Sequence, residues 1–374
     1  MNEATSPQLK DAHFDVCIIG AGIAGLSAAH ALSAKGLNIA VLEKSRGPGG
    51  RMATRCIDGA QFNYGAPSFT IESADFLAWA QAAERNNGLK IAGNRASSGY
   101  YYATATADSS INLLARSTFT PAHFYTLTRA TALTLVATNL WQVQYQVENA
   151  QGEILSTGSS HASKIVVALP APQAAALLAP LPQPFVALAS AAASAIYNPC
   201  WVAMFTLSTP SNIDTNPFGE AAIKATETQL AKCIRQATNS DTKGEQWVIH
   251  ATTEWTKSHL NDTKEMVANT LITSFSKHYN NQEKIINSAV HRWLYSQPAA
   301  TTASQAADLT DAAAHGLVCV GDWVQTAAIT PTMCNIERAW MSGQRLTQTP
   351  YSLSRSAINL FEEPADPPFY RRRL

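Results

Sequence analysis

The sequence has no net charge: 27 Lys and Arg are matched by 27 Asp and Glu across 374 residues. A basic field that would draw the chain to nucleic acid or to an anionic membrane is therefore missing. No apolar run reaches the ~20 residues that span a bilayer. The opening "MNEATSPQLKDAH" has neither the charged start nor the apolar centre of a signal peptide. Neither nucleic acid nor membrane is an expected partner. The six cysteines, Cys17, Cys56, Cys200, Cys233, Cys319 and Cys334, lack CxxC spacing. They read as reduced, mostly structural thiols of a cytoplasmic protein, and no metal site is expected. Long repeats and low-complexity linkers are absent as well, although alanine-rich runs recur at 171–179 and 187–195. What is present is an ordinary hydrophobic fraction of 46% and enough chain for two domains with cores of their own.

The run "DVCIIGAGIAGLSAAHAL", Asp15 to Leu32, sets four apolar residues, three glycines in six positions and an alanine-rich stretch back to back. Val16 to Ile19 reads as a short buried strand, and the residues from about Ile23 onward as a helix. The join must be too tight for side chains. Gly20 permits the turn, Gly22 lets a backbone approach a ligand, and Gly25 lets the helix lie against the strand. The amides at the helix start, those of Ile23 and Ala24 among them, then offer a seat for a phosphate. Glycine clusters also make ordinary turns, so the context has to decide. "LNIAVLEK", Leu37 to Lys44, reads as a second strand ending in Glu43. That is close to the ~20 residues expected for an acid accepting bonds from an adenosine ribose. The other reading of Glu43 is a solvated charge at a strand end. "GPGGR", Gly47 to Arg51, adds small residues and a cation suited to a pyrophosphate. NAD-only units do not need that segment, whereas many FAD proteins carry it.

Further along, the sequence turns β-rich from 118 to 167, with "WQVQYQVENAQGEIL" alternating sides around an Asn-Ala-Gln-Gly turn. "KIVVALPAPQAAALL", Lys164 to Leu178, reads as a buried strand, prolines and a helix, a return into a parallel sheet. "CWVAMFTL", "QWVIHATTEW" and "AVHRWLYSQP" are three strand candidates rich in aromatic residues, with a helical pattern from 263 to 279. "GLVCVGDWV", Gly316 to Val324, completes the dinucleotide unit, and a helix is expected from about Ile336 to Leu346. The expected fold is α/β: a Rossmann-like FAD-binding domain from residues 1–70, 111–180 and 310–374. Interleaved with it is an α+β substrate domain from 71–110 and 181–309. In "GDW" the carboxylate of Asp322 follows an apolar strand, where it can accept bonds from the ribityl hydroxyls of a flavin; the other reading is a strand-end turn residue. The helix start at "NIERAWMSGQRL" can face a flavin pyrimidine oxygen and favour negative charge near N1.

Taken together, "GAGIAGLSAAHAL", "EKSRGPGGRMATR", "NPCWVAMFTL", "WVIHATTEWTKSHL", "HRWLYSQP", "VCVGDWV" and "ERAWMSG" occur in an order that resembles the renalase family. The resemblance is to the bacterial renalase-like FAD oxidoreductases of the flavin amine oxidase group, and it covers nearly the whole chain. It implies a p-hydroxybenzoate-hydroxylase-like architecture with non-covalent FAD, held by Gly20, Gly22, Ile23, Ala24, Gly25, Glu43, Lys44, Gly50, Arg51, Met52, Gly65, Ala66, Leu127, Gly321, Asp322 and Ile336. The implied chemistry is oxidation of isomeric 2- and 6-dihydroNAD(P) to NAD(P)+, with molecular oxygen taking the electrons and giving hydrogen peroxide. One loop departs from the family, which usually reads Gly-Ala-Gln-Tyr-Phe-Thr there: "YGAPSFT" has Pro67 and Ser68 in the middle positions.

A dihydropyridine that gives up hydride becomes an aromatic pyridinium, so no general base is required, and the protein has to stack, orient and select. The two-residue strand period places Trp201, Ala203 and Phe205 on one face, and His291, Trp293 and Tyr295 on one face. Trp201, His291 and Trp293 are the candidate pocket walls, with His250 offering a hydrogen bond to a carboxamide. Buried aromatic residues on a sheet also serve as plain core, and a single histidine as a structural group. Two other readings stay open. One is an oxidase of amines or another small donor, although none of the three aromatic strand segments supplies the lysine such enzymes commonly use. The other is a catalytically idle FAD-binding protein.

Overall fold

Val16 to Ile19 are buried almost without exposure, as befits a parallel strand covered on both faces. In the computed structural model, which describes residues 9–85, 89–92, 101–105, 123–237, 243–299, 310–324 and 333–347, this strand is β1 (His13–Ile19). It is followed by α1 (Ile23–Ser33), β2 (Ile39–Leu42), a short hairpin of β3 (Thr54–Ile57) and β4 (Ala60–Asn63), β5 (Ser68–Ile71) and α2 (Ala74–Arg85). Next come β6 (Leu89–Ala92), β7 (Tyr101–Ala105), β8 (His123–Tyr125), β9 (Thr128–Ala137), β10 (Leu140–Glu148) and β11 (Ile154–Val167). Then come α3 (Ala171–Leu178), α4 (Val186–Ser194), β12 (Tyr197–Leu207), β13 (Leu230–Arg235), β14 (Glu245–Ala251), α5 (Thr253–Ser258) and α6 (Lys264–His278). The chain ends its described part with β15 (Ile285–Pro298), α7 (Thr310–Ala314), β16 (Leu317–Cys319) and α8 (Asn335–Gln344). Residues 106–122, 300–309, 325–332 and 348–374, which the expected domain division includes, lie outside the described residues.

The large sheet runs β8-β2-β1-β11-β10-β9, with β16 also beside β11. Its heart is parallel: β2, β1 and the end of β11 run together, and β16 joins at Ile165 to Val167. The first half of β11 instead pairs antiparallel with β10 across the expected Asn149–Gly152 turn. One strand thus serves two kinds of pairing, and its tail brings the late strand β16 next to the early strands. Helix α8 then lies across α1 so closely that a Cβ on Gly343 would come 2.4 Å from the Ala24 carbonyl oxygen.

A second sheet, β13-β14-β12-β15, is antiparallel. One face carries Trp201, Ala203, Phe205, Trp247 and Ile249 into a core with Leu271 and Phe275 of α6. The other face carries Val202, Met204 and Val248 against Phe62 of the β3–β4 hairpin, with Trp293 and Tyr64 packed alongside. One expectation needs correction. "QWVIHATTEW" is not one strand, because Thr252 caps α5, its Oγ1 accepting from the Trp255 amide at 3.2 Å. From the span 71–110, expected in the substrate domain, Ile71, Phe76, Ala80 and Leu89 pack into the same core as α1 and α8. No helix among the described residues is long and apolar enough to cross a membrane.

Candidate functional site

The turn from β1 into α1 forms one end of a cavity of about 2460 Å³ that reaches to the second sheet. Gly20 has φ +103°, and a Cβ there would lie 2.7 Å from the Ala168 carbonyl oxygen. Only glycine suits such a position. A Cβ on Gly25 would sit 2.1 Å from the Gly20 oxygen, so this residue sets the approach of helix to turn. Gly22 differs: a Cβ there would meet no atom within 4 Å, and the residue lines the cavity. Gly22 is the N-cap of α1 and makes no side-chain cap bond. The first-turn amides, with the positive end of the helix dipole, are therefore left without a side-chain acceptor at the cavity wall.

Glu43 is buried, which excludes the solvated reading. Its Oε2 accepts from the Ala21 amide and its Oε1 from the Ser45 amide, both at 2.8 Å. Each oxygen keeps a lone pair for a ribose hydroxyl. Lys44 also lines the cavity, and burial lowers its pKa. Leu127 does not fit its expected place. It has φ +54°, donates its amide to the Ser45 oxygen and accepts from Glu148, and so braces the loop after Glu43. Thr128 to Thr131 line the cavity beside it.

The second glycine segment folds onto the first. The Gly49 amide donates to Ala21 at 2.8 Å, and a Cβ on Gly50 would lie 3.1 Å from Gly22 Cα. Arg51 departs from expectation: its guanidinium is paired with Asp322 at 2.7 and 2.9 Å. It also donates to the Ser296 carbonyl at 3.0 Å and lies over the Tyr197 ring. Tyr197 Oη donates to Asp322 Oδ1 at 3.1 Å. Asp322 is thus more than a turn residue, and both oxygens are already engaged. Met52 is buried and Ala66 half-buried in the core beneath, and both border the cavity. Gly65 passes so near that a Cβ would strike the Arg51 carbonyl oxygen and come 3.3 Å from Trp293 Cζ2. Gly321 and Ile336 border the same space, and the Gly321 amide donates to Ser342 Oγ at 3.0 Å.

At the far end Tyr64, His291 and Trp293 form a cluster. Tyr64 stacks on Trp293 at 5.1 Å and 15°, and His291 meets Trp293 edge-on at 4.3 Å. The Trp293 Nε1 is buried without a partner among the described residues. His250 places Nε2 3.0 Å from the Tyr64 carbonyl oxygen. Burial, aided by the charge of Lys232, pushes His250 down to about 4. Burial, with Arg55 and Lys264, does the same to His291. Both imidazoles are therefore neutral at pH 7. Trp201 is corrected: it belongs to the opposite face of the sheet, buried against α6, with its Nε1 donating to the His259 carbonyl at 2.9 Å. Sequence reasoning missed Tyr64, Tyr197 and the strand β13 with Lys232. Tyr64 had a signal, since it directly precedes Gly65 in the quoted loop.

Among known families, residues 18–82 match the NAD(P)-binding Rossmann-like domain. Hydroxyneurosporene desaturase of Rubrivivax gelatinosus is 43% identical over 56 residues, 15% of this chain. The match spans only 11% of the desaturase's length. Putrescine oxidase, solved as the wild type bound to putrescine, aligns with a TM-score of 0.60 at 12% identity, over 89% of this chain and 98% of that one. A protein of Exiguobacterium sp. 255-15 assigned as a protoporphyrinogen oxidase aligns with a TM-score of 0.60, also at 12% identity, over 91% and 98%. At such identities the shared property is the fold. The chain carries a Rossmann-like dinucleotide-binding domain set in the α/β architecture of these flavin amine oxidase-type structures.

Proposed function

We propose that the protein is an FAD-dependent oxidoreductase that oxidises isomeric 2- and 6-dihydroNAD(P) to NAD(P)+. Oxygen and a proton are consumed and hydrogen peroxide is released. The observation that carries the cofactor is Gly22, whose missing side chain leaves open space at an α-helix N-terminus facing the large cavity. A pyrophosphate fits there, with Glu43 facing the ribose. The relatives support the same reading, since the oxidases and the desaturase are redox enzymes by name. FAD in this site would supply the two-electron acceptor. Burial pushes the cavity-lining Cys200 up to about 12 and also raises Cys334, so neither offers a thiolate for a covalent flavin bond.

For the donor, the deciding feature is the aromatic wall of Tyr64, His291 and Trp293 with two neutral, weakly basic imidazoles. Such a wall can hold a flat dihydropyridine, whose oxidation needs no proton removed by the protein. With Nε2–H held by the Tyr64 carbonyl, His250 keeps Nδ1 as the acceptor for a carboxamide N–H. The renalase resemblance points the same way. An amine donor is the second reading, because β13 does bring a lysine, Lys232, to the cavity. That lysine is exposed at the rim rather than enclosed.

Anaerobic mixing of the flavin-loaded protein with each donor tests the reading. The 2- or 6-dihydro isomers should bleach the flavin within seconds, and ordinary 4-dihydro NADH and simple amines much more slowly. Faster bleaching by an amine would replace the dihydronicotinamide reading, and no bleaching by any donor would leave an idle FAD-binding protein.

A further inference from the structure

Although the chain is neutral overall, the substrate end of the cavity is not. Lys232 on β13 is the register partner of His250 on β14. Residues paired across antiparallel strands share a face, so Lys232 lies on the cavity side, at the rim. Arg55 on β3 lines the same cavity, close enough for its charge to act on Tyr64 and His291. The aromatic cluster lines the same space and is tied to His250 through the Tyr64 carbonyl. Both cations thus border the cavity beside the cluster, Lys232 acting on His250 and Arg55 on Tyr64 and His291.

Neither cation takes part in the ion pairs formed among the described residues, which are Arg51–Asp322, Arg129–Glu148, Arg235–Glu245 and His278–Glu227. Glu220 shares this rim and reaches neither cation within ion-pair distance. Arg292, although next to His291, points to the opposite face and lies over Trp201 at 5.5 Å. Two unpaired cations beside a flat, uncharged wall call for a ligand with a planar neutral end and an anionic end. A dihydronicotinamide ring is neutral; the charge of its nucleotide lies in the phosphates.

We propose that Arg55 and Lys232 form the site that binds the phosphate groups of the donor and sets its preference for a nucleotide over the bare riboside. This rests on the dihydronicotinamide reading above. The experiment measures anaerobic flavin bleaching per unit donor concentration with 6-dihydroNAD, its mononucleotide and its uncharged riboside. The dinucleotide should exceed the riboside by about tenfold at low salt, and the margin should shrink as salt rises. Arg55→Gln and Lys232→Gln should each cut that margin severalfold, the double variant should abolish it, and Lys232→Arg should keep most of it. Inorganic pyrophosphate should compete with the dinucleotide in the parent and not in the double variant. Both positions are exposed, and flavin content checks that each variant folds. If riboside and dinucleotide bleach the parent equally, or the double variant keeps the margin, the phosphate site is overturned while the donor reading stands. Bleaching by none of the three donors overturns the donor reading and the site with it.

Discussion

Arg51 and Asp322 stand 271 residues apart in the chain and meet as a two-bonded ion pair, at 2.7 and 2.9 Å. The pair fastens the glycine-rich segment after β2 to the turn after β16. It closes the cavity floor between the early and late parts of the nucleotide domain. Asp322 is 1% exposed and the Arg51 side chain 28%. Removing one partner leaves the other charge largely buried. Asp322→Ala should therefore cost about 3 kcal/mol in urea unfolding of the flavin-free protein. Adding Arg51→Met should recover part of that loss, because the stranded charge goes with it. A loss below about 1 kcal/mol for Asp322→Ala would mean that water already pairs Arg51.

Gly22 and Gly25 should separate binding from folding. Gly22→Val points its side chain into the open cavity, so the thermal midpoint of the flavin-free protein should hardly change while purified flavin content falls to near zero. Gly25→Val forces a Cβ to 2.1 Å from the Gly20 carbonyl oxygen, and should lower the yield of folded protein itself. Flavin content and thermal melts of both variants check this. Undiminished flavin in Gly22→Val would remove the pyrophosphate from the turn. Where the parent binds FAD, denaturing it should release free flavin of FAD's mass, and colour left on the precipitated chain would mean a covalent bond.

The depressed histidines make stability depend on pH in a set direction. His250 is pushed down from 6.5 to about 4 by burial and Lys232. Between those values the unfolded chain binds the proton and the folded chain does not. Stability is therefore full above the unfolded value and falls as the pH drops through the window. For His250 the loss from pH 7 to pH 5 should be about 2 kcal/mol. His291 adds a contribution of the same sign. Urea midpoints of the parent and His250→Gln measure it: the variant should show the shallower slope, and equal slopes would show that His250 does not carry the effect.

The early strand and helix are legible because three glycines at fixed spacing leave few other folds for β1 and α1, and α6 is legible because Thr263 caps it close to its expected start. Period-two alternation also grouped Trp201 with Phe205, and His291 with Trp293. It could not say which group faced the cavity, since that depends on α6 packing Leu271 and Phe275 onto one side of the sheet. β13 was missed because "LAKCIR" carries a lysine and an arginine on a strand that emerges only by pairing with β14. The Arg51–Asp322 pair was equally hidden. Each residue had a plausible ligand of its own, and only the folded chain brings them within bonding distance.

The loop at Pro67 and Ser68 offers the last prediction. Both residues line the cavity between Gly65 and Phe69, and Ser68 opens β5, paired with Thr104 of β7. Pro67 is buried; it has no amide hydrogen and a fixed φ, while Ser68 lacks the ring that the family's tyrosine would place there. The backbone course is held by β5, so a change of side chains here alters the wall rather than the fold. If the missing side chains widen the pocket, Pro67→Gln with Ser68→Tyr should raise kcat/KM for 2- and 6-dihydroNAD(P). A tenfold gain would correspond to about 1.4 kcal/mol of regained transition-state binding. The gain should appear against the riboside as well as the dinucleotide, because the ring and not the phosphate is being held, and this separates it from the Arg55 and Lys232 effect. Equal turnover by parent and double variant would mean that only the backbone matters at these two positions and that the pocket width is set elsewhere on the wall, at Tyr64 and Trp293.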